Sequence, residues 1–464
     1  MRNRGGTPLL QPRLLSRYPQ EVTFDAKLLV ERLTALTVGE PASRWLVAFS
    51  GGVDSTVLLH ALSSTREQHR VEIIAIHVDH GLHADSRAWE NHCRQFAEDL
   101  GIVYISRQVT VNADLRSGQE AAARQARYAV LQTLVNDSDC LLSAHHEEDQ
   151  AETLLLNLMR GSGVAGLAGI GVAQKFGHGR LLRPLLGVSG EAIQDYAKRH
   201  ELSWIEDPTN VDTRFDRNFL RKEIVPRLAS RWPAVSARLT QSADLASEAS
   251  ALLRELADID LASAGSPERL DLQAVRLLRP ERQRNLLRQA VSSCGLPPPP
   301  ATRLYQAVHE LIPAREDAQP LVQWPGAELR RYRNHLYVMP AIASLPEEPA
   351  QDLRPGESLD LGPGMGQLVL SPDIDGGIDP ELASAGLQVR YRHGGEEIRP
   401  AGHECTHKLK KLLQQEGIVP WMRERLPLLY SGDDLVAVAD LWIAKDCSHE
   451  AGFGVSWRDK SALN

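Results

Sequence analysis

An α/β domain on a parallel sheet, then a helical domain and a small α+β C-terminal domain, is the architecture this 464-residue sequence predicts. Three observations predict it. From about Phe24 to Ile205 short apolar runs alternate with longer helical stretches; past Asp207 helical spacing takes over; and from about Gln367 short strand-like runs return around one basic helix. The length also exceeds one ordinary core, since roughly 150 residues per domain suggests about three.

The elements follow in order. Residues 1–22 carry arginines but no continuous apolar stretch, so they are expected to be a disordered extension without a secretory signal. WLVAF (Trp45–Phe49), VEIIAIHV (Val71–Val78), IVYISRQV (Ile102–Val109) and CLLSAH (Cys140–His145) are short, apolar and bounded by polar or turn residues, which predicts buried strands. Helical patterns over Thr56–Ser63, Ser86–Leu100, Gly118–Val135 and Glu147–Met159 separate them, implying βαβ crossovers and a parallel sheet covered on both faces. Ligands in such sheets sit beyond the carboxyl ends of the strands. The resulting boundaries are an α/β domain over 23–217, a linker helix and mainly helical domain over 218–345, and a small α+β C-terminal domain over 346–464. From Asn218 to about Leu311 helices are expected and strands are not. Val235, Leu239, Ala243, Ala246, Leu252, Leu253 and Leu256 fall at helical spacing and are expected to face a core. Pro297–Pro300 stops the helix that ends near Cys294.

Composition excludes several classes. With 42% hydrophobic and 24% charged residues the chain is globular, and no run approaches the roughly 18 apolar residues that spanning a bilayer requires. Cys93, Cys140, Cys294, Cys405 and Cys447 form no CxxC pair, which excludes a disulfide scaffold and fits a cytoplasmic location. The net charge of −8 rules out a basic field over the whole protein, so a nucleic-acid site must be a local patch. Two segments qualify. Arg214–Arg231, with Arg217 and Arg221, carries a local +4, and Arg390–Lys411, with Arg390, Arg392, Lys408, Lys410 and Lys411, carries +3; a solvated face is the competing reading of each.

AFSGGVDSTVLL (Ala48–Leu59) is the strongest single signal. A strand ends at Phe49, Ser50-Gly51-Gly52 turns the chain, and a helix is expected to start near Asp54 or Ser55. Two glycines let backbone approach a bulky anion, and the helix start offers unpaired N–H donors. The loop lacks the lysine of the ordinary phosphate loop. SGGVDS resembles the signature of the N-type ATP pyrophosphatases, whose adenine nucleotide alpha hydrolase-like domain is Rossmann-like and which cleave ATP between the α- and β-phosphates. The resemblance implies that Ser50, Gly51, Gly52, Val53, Asp54 and Ser55 bind ATP, and that Asp54 also serves catalysis and helps place Mg²⁺.

Within that superfamily, IHVDHGLHADS (Ile76–Ser86), EAAARQARY (Glu120–Tyr128), AHHEEDQAETLLLNLMRGSGVAGLAG (Ala144–Gly169), DPTN…FDRNFLR (Asp207–Arg221) and Arg390–Tyr430 resemble the tRNA(Ile)-lysidine synthetases. His83 departs from that pattern, standing where arginine is common. His77, His80 and His83 read as backbone-facing residues, because no carboxylate or cysteine completes a tetrahedral metal set. The family's reaction, in which the wobble cytidine of a CAU-anticodon isoleucine tRNA is adenylylated and free L-lysine then displaces AMP, is what the resemblance implies. It makes Arg124 a candidate to stabilise charge, His145 and Asp149 candidates for proton transfer, and Asp149 and Glu152 candidates for lysine recognition. Arg217, Arg221, Arg390, Arg392, Lys408, Lys410 and Lys411 become candidates to hold tRNA, and the resemblance allows a homodimer. A tRNA thiolase is the nearest rival, but the cysteine pair such enzymes often use is missing here.

Overall fold

A computed structural model describes residues 23–69, 71–79, 85–109, 119–208, 212–315, 318–343, 345, 351–362, 364–373 and 376–460. The extension 1–22, His80 and His83 lie outside the described residues. The chain divides into two compact units, 1–252 and 253–464.

In the first unit the described chain runs α1 (Ala26–Leu36), β1 (Arg44–Ala48), α2 (Val53–Ser64), α3 (Arg66–His69), β2 (Glu72–Asp79), α4 (Ser86–Asp99), β3 (Val103–Gln108), α5 (Gln119–Leu134), β4 (Cys140–Leu142), α6 (Glu147–Met159), α7 (Val164–Leu167), β5 (Ala173–Phe176), β6 (Gly179–Leu182) and α8 (Gly190–Arg199). Then come α9 (Asp216–Phe219), a π-turn (Leu220–Ile224), α10 (Val225–Arg231) and α11 (Val235–Ala264), which continues into the second unit. The sheet order is β3-β2-β1-β4-β6-β5. All neighbours are parallel except the β5–β6 hairpin.

Two cores cover the sheet, as strand alternation requires. Trp45 and Val47 of β1 join one core with Val57, Leu58 and Leu62 of α2 and Ile193 of α8. Leu46, between them, joins Ile74, Ile76, Leu131 and Leu141 on the other face. The strand order reverses between β1 and β4, since β2 lies on one side of β1 and β4 on the other. The crevice beyond the carboxyl ends of that pair is where an open α/β sheet receives its ligand. The loops 49–52 and 143–146 both open there.

The second unit begins with a five-stranded sheet, β7 (Gly265–Ser266), β8 (Arg269–Asp271), β9 (Leu321–Trp324), β10 (Ala327–Tyr332) and β11 (His335–Pro340), ordered β7-β8-β11-β10-β9. It packs with helices α12 (Leu272–Leu277), α13 (Pro280–Ser293) and α14 (Ala301–Gln306) around Leu270, Leu287, Leu304 and Leu336. Beyond residue 350 two further five-stranded sheets and the helix Leu409–Gln415 enclose another core.

Two expectations need correction. Strands β7 and β8 lie in the stretch expected to be free of them; at two and three residues they are too short to show alternation, and β8 takes its register from β11. The apolar stripe of α11 is also not uniformly buried, for Leu252 and Leu253 are 65% and 39% exposed. Its buried residues are Val235 and Ala243 of that stripe together with Thr240, Ser250, Ala257, Asp260 and Ala264. Ser250 and Ala257, small side chains that permit close packing, lie outside the expected stripe, and a reading weighted by large apolar residues misses them.

Candidate active site

The phosphate loop is built as a hydrogen-bonded corner. Phe49 N–H donates to Ile76 O at 2.8 Å, so β1 pairing persists to the edge of the loop. Gly51 follows at φ +84°, a conformation that disfavours any Cβ. A Cβ there would stand 2.5 Å from Ile205 Cδ1 and 2.8 Å from Cys93 Sγ, both directly under the loop. The Gly51 carbonyl accepts from Ile205 N–H at 2.8 Å and from Thr56 Oγ1 at 3.3 Å. Gly52 caps α2, which starts at Val53, one residue before the expected range. Ser55 Oγ donates to Gly52 O at 3.0 Å and lies 3.1 Å from Ser50 Oγ. Asp54, in the first turn, suits the positive end of the helix.

The second half of the site comes from β4 and α6. His145 and His146 follow the strand, and Asp149 Oδ2 accepts the His146 N–H at 3.0 Å, closing the first turn of α6. His146 is where the two halves meet. Its Nε2 lies 3.7 Å from Asp54 Oδ2 and 3.6 Å from Asp149 Oδ2, while its Nδ1 lies 2.8 Å from Glu148 Oε2. Glu148 is itself held by the Gly190 N–H at 2.9 Å. Burial opposes protonation of His146, but the hydrogen bond to Glu148 and the charges of Asp149, Asp54 and Glu148 outweigh it and push its pKa up to about 9. His145 goes the other way. Burial, with Arg183, Arg124 and Arg217 nearby, pushes it down to about 3 against the pull of Asp149, so it is neutral at pH 7. Ser143 Oγ is its hydrogen-bond partner.

The carboxylates differ as well. Burial and the nearby Asp149 and Glu148 raise Asp54 against the attraction of His146 and Arg221. Burial would also raise Asp149, but His146, its own backbone hydrogen bond and Arg221 hold it below the ordinary carboxylate range. Glu152, 1% exposed, is raised by burial and pulled back by Arg221, whose Nε and Nη2 reach its two oxygens at 2.6 and 3.1 Å. Arg221 Nη2 also reaches Asp149 Oδ1 at 3.2 Å. This arginine, expected at RNA phosphates, is turned inward onto both carboxylates.

Arg217 donates to Thr153 Oγ1 at 3.1 Å, and Arg124 donates to Tyr128 Oη at 3.2 Å with its guanidinium 4.9 Å above that ring. Three adjoining cavities connect these groups. One of about 490 Å³ runs from Phe49, Ser50 and Asp54 to Ile76, Val78 and Trp89. A second, about 270 Å³, shares Ser50 and Asp54 and reaches Arg124, His145, Asp149 and Arg217. The third, about 510 Å³, lies between Arg124, Arg217, Arg183 and Ile170.

Several contributors escaped the sequence reading. His146 was masked by its neighbour in the HH pair. Gln150, 1% exposed, fastens the second glycine-rich loop by accepting from Ile170 N–H at 2.6 Å and donating to Ile170 O at 3.2 Å. Asn157 donates to Gly166 O at 2.8 Å, so the motif's amides position the loop that Arg160, Gly161 and Gly163 begin. His77 faces backbone, its Nδ1 3.0 Å from Phe49 O. In the second unit Arg392 is tied to Glu396 at 3.0 Å with 12% of its side chain exposed, and Arg390 donates to Gln388 Oε1 and Gly432 O. Lys408, Lys410 and Lys411 are exposed.

Comparison with known proteins matches the sequence to one family. Residues 26–228 match the PP-loop domain, 270–337 the TilS substrate binding domain and 387–457 the TilS substrate C-terminal domain. The tRNA(Ile)-lysidine synthase of Coxiella burnetii is 39% identical over 91% of this chain and 93% of its own length. That of Alkalilimnicola ehrlichii is 42% identical over 96% and 97%. The chain belongs to the tRNA(Ile)-lysidine synthase family. A U34-tRNA thiolase from Methanococcus maripaludis is also similar in structure, at 19% identity and a TM-score of 0.40, over 47% of this chain and 77% of its own. Among the described residues of this lysidine synthase relative, no helix is long and apolar enough to cross a membrane.

Proposed function

We propose that this chain uses ATP to join L-lysine to the wobble cytidine of a CAU-anticodon tRNA(Ile), releasing AMP and pyrophosphate and changing the codon read from AUG to AUA. The observation that carries the reading is the meeting of phosphate-loop Asp54 and α6 Asp149 on one imidazole, at 3.7 and 3.6 Å. It supports a nucleotide and an acceptor amine reacting at a common point.

ATP fits with its phosphates on Ser50–Ser55 and its base along Ile76 and Val78. Arg124 and Arg217, across the joining cavity, then face the α-phosphate and neutralise charge that develops when the cytidine carbonyl attacks it. Lysine enters as an ammonium, since at a pKa of about 10.4 only about one molecule in a thousand is neutral near pH 7. Asp149, anionic, receives it, and Glu152 adds a second acceptor whose charge Arg221 already balances. A neutral His145 beside Asp149 can accept a hydrogen bond from the amine and orient it for attack as AMP leaves, the released proton passing to solvent.

Among the described residues no three His, Cys, Asp or Glu side chains are grouped to hold a metal by themselves. Mg²⁺ suits such a site, because it is commonly bound by one or two carboxylates together with substrate phosphates. The burial that raises Asp54 marks a carboxylate that a cation would relieve. Asp54 would hold the ion, which when bound offsets charge on the leaving pyrophosphate. Lys408, Lys410 and Lys411 supply tRNA contacts in the second unit, and a cytoplasmic location fits a tRNA substrate.

The test is tRNA-dependent release of AMP with incorporation of labelled lysine, comparing isoleucine CAU tRNA with methionine CAU tRNA. Incorporation into the former alone is expected. AMP release without lysine transfer, or equal labelling of both tRNAs, would reject the reading.

A further inference from the structure

Two phenylalanines beside the site are left partly open to solvent. Phe215, the extended residue that caps α9, and Phe219, the last residue of α9, are 37% and 44% exposed, with Phe219 N–H donating to Phe215 O at 2.9 Å. That bond closes the first turn, so the two residues stand one turn apart at the start of the helical segment. Between them Arg217 turns into the cavity it shares with Arg124 and His145. The helix is anchored, for Asn218 Nδ2 donates to Asp212 O at 3.0 Å and Asp216 lies 3.8 Å from Arg160, at the end of α6. That end exposes Leu158 and Met159, 52% and 74%.

An exposed apolar patch marks an interaction site. Its surroundings choose the occupant: Arg160, Arg214 and Arg227 are each paired with a carboxylate, but Lys222 and Arg231 are exposed as well and residues 214–231 carry a net +4, fitting a polyanion better than an apolar protein face. A wobble base can reach Arg124 and His145 only by leaving the stack of its loop. Each flanking base then loses a stacking partner, and single-stranded bases are commonly received on aromatic rings.

We propose that Phe215 and Phe219 form a stacking platform for the anticodon bases next to the wobble cytidine, so that α9 presents arginine to the reacting base and aromatic rings to its neighbours. The inference rests on the tRNA reading above. The experiment measures binding of a CAU anticodon stem-loop to full-length wild type and to Phe215→Ala, Phe219→Ala, Phe→Leu and Phe→Tyr variants. A second stem-loop carries 2-aminopurine directly 3′ of the wobble position. Each alanine variant is expected to weaken binding roughly 5- to 150-fold. Leucine should recover little and tyrosine most of it, with ATP affinity unchanged. Fluorescence should be quenched on wild type and tyrosine variants but not on leucine variants, which decides the matter even if an alanine variant fails to fold. Wild-type RNA affinity in the leucine variants together with unaltered quenching would overturn the platform. So would a loss of self-association in those variants at unchanged RNA affinity, which would assign the patch to a second copy of the chain. Absence of tRNA-dependent AMP release by wild type would instead sink the underlying function.

Discussion

Gly51 and Gly52 are adjacent, yet the structure gives them different tasks that substitution should separate. Gly51→Ala places a Cβ at φ +84°, 2.5 Å from Ile205 Cδ1 and 2.8 Å from Cys93 Sγ. The left-handed conformation costs an ordinary residue about 1–2 kcal/mol. Forcing a methyl into a packed core adds about 1–3 kcal/mol. Cys93 is fully buried and can yield little, whereas the tip of Ile205 has some freedom, so a total near 3 kcal/mol is expected. For a unit of this size each 1 kcal/mol moves Tm by roughly 2–4 °C, which predicts a fall of about 6–12 °C.

Gly52→Ala should behave otherwise. Gly52 has φ −72°, and the nearest atom to its Cβ is Ser50 Oγ at 3.6 Å, an ordinary contact. Losing glycine at a helix cap costs about 1 kcal/mol or less, so Tm should drop by no more than about 4 °C. The new methyl, however, lies at the opening where the phosphates must approach backbone, and ATP affinity should fall at least about tenfold. Calorimetric Tm and titration with a non-hydrolysable ATP analogue read the two effects separately. Wild-type Tm in Gly51→Ala, or wild-type nucleotide affinity in Gly52→Ala, would refute the description of this corner.

Three other outcomes are expected. Asp149→Asn keeps an oxygen for the His146 N–H but loses the charge facing Arg221 and the amine, so lysine incorporation should fall about 100-fold or more while the fold persists; full incorporation would remove Asp149 from the reaction. His145 resists protonation down to about pH 3, whereas in the unfolded chain it takes up a proton below about 6.5; its contribution is therefore lost as pH falls through that window, by up to about 1.4 kcal/mol per pH unit. His145→Asn should flatten the acid side of a Tm-against-pH profile, and an unchanged slope would contradict the burial of a neutral imidazole. Changing Lys408, Lys410 and Lys411 together to glutamine should weaken tRNA binding and reduce the slope of log K against log salt by about 0.7–0.9 for each lysine that meets a phosphate; an unchanged slope marks a solvated face.

How much of this was legible in the sequence depends on the range of the interaction involved. The parallel sheet was, because Trp45–Val47 and Cys140–Leu142 are short apolar runs whose partners on both faces recur at helical spacing. The phosphate corner was, because strand, glycines and helix start are consecutive. Contacts between distant segments were not. Arg221 sits in a segment with a local charge of +4 and reads as an RNA contact, yet its guanidinium closes on Glu152 and Asp149, 69 and 72 residues away. Arg392 likewise looks like a free cation until Glu396 is seen beside it in a nearly buried pair.

The two histidines show the limit most clearly. His145 and His146 are identical in type and adjacent in sequence, so neither propensity nor spacing distinguishes them. Three-dimensional placement does. One is buried, with Arg183, Arg124 and Arg217 outweighing Asp149, and stays neutral; the other is bonded to Glu148 beside Asp149 and Asp54 and carries charge in spite of its burial. A dipeptide motif thus yields one neutral imidazole and one charged one, and the difference arises from the fold around β4 and not from the residues themselves.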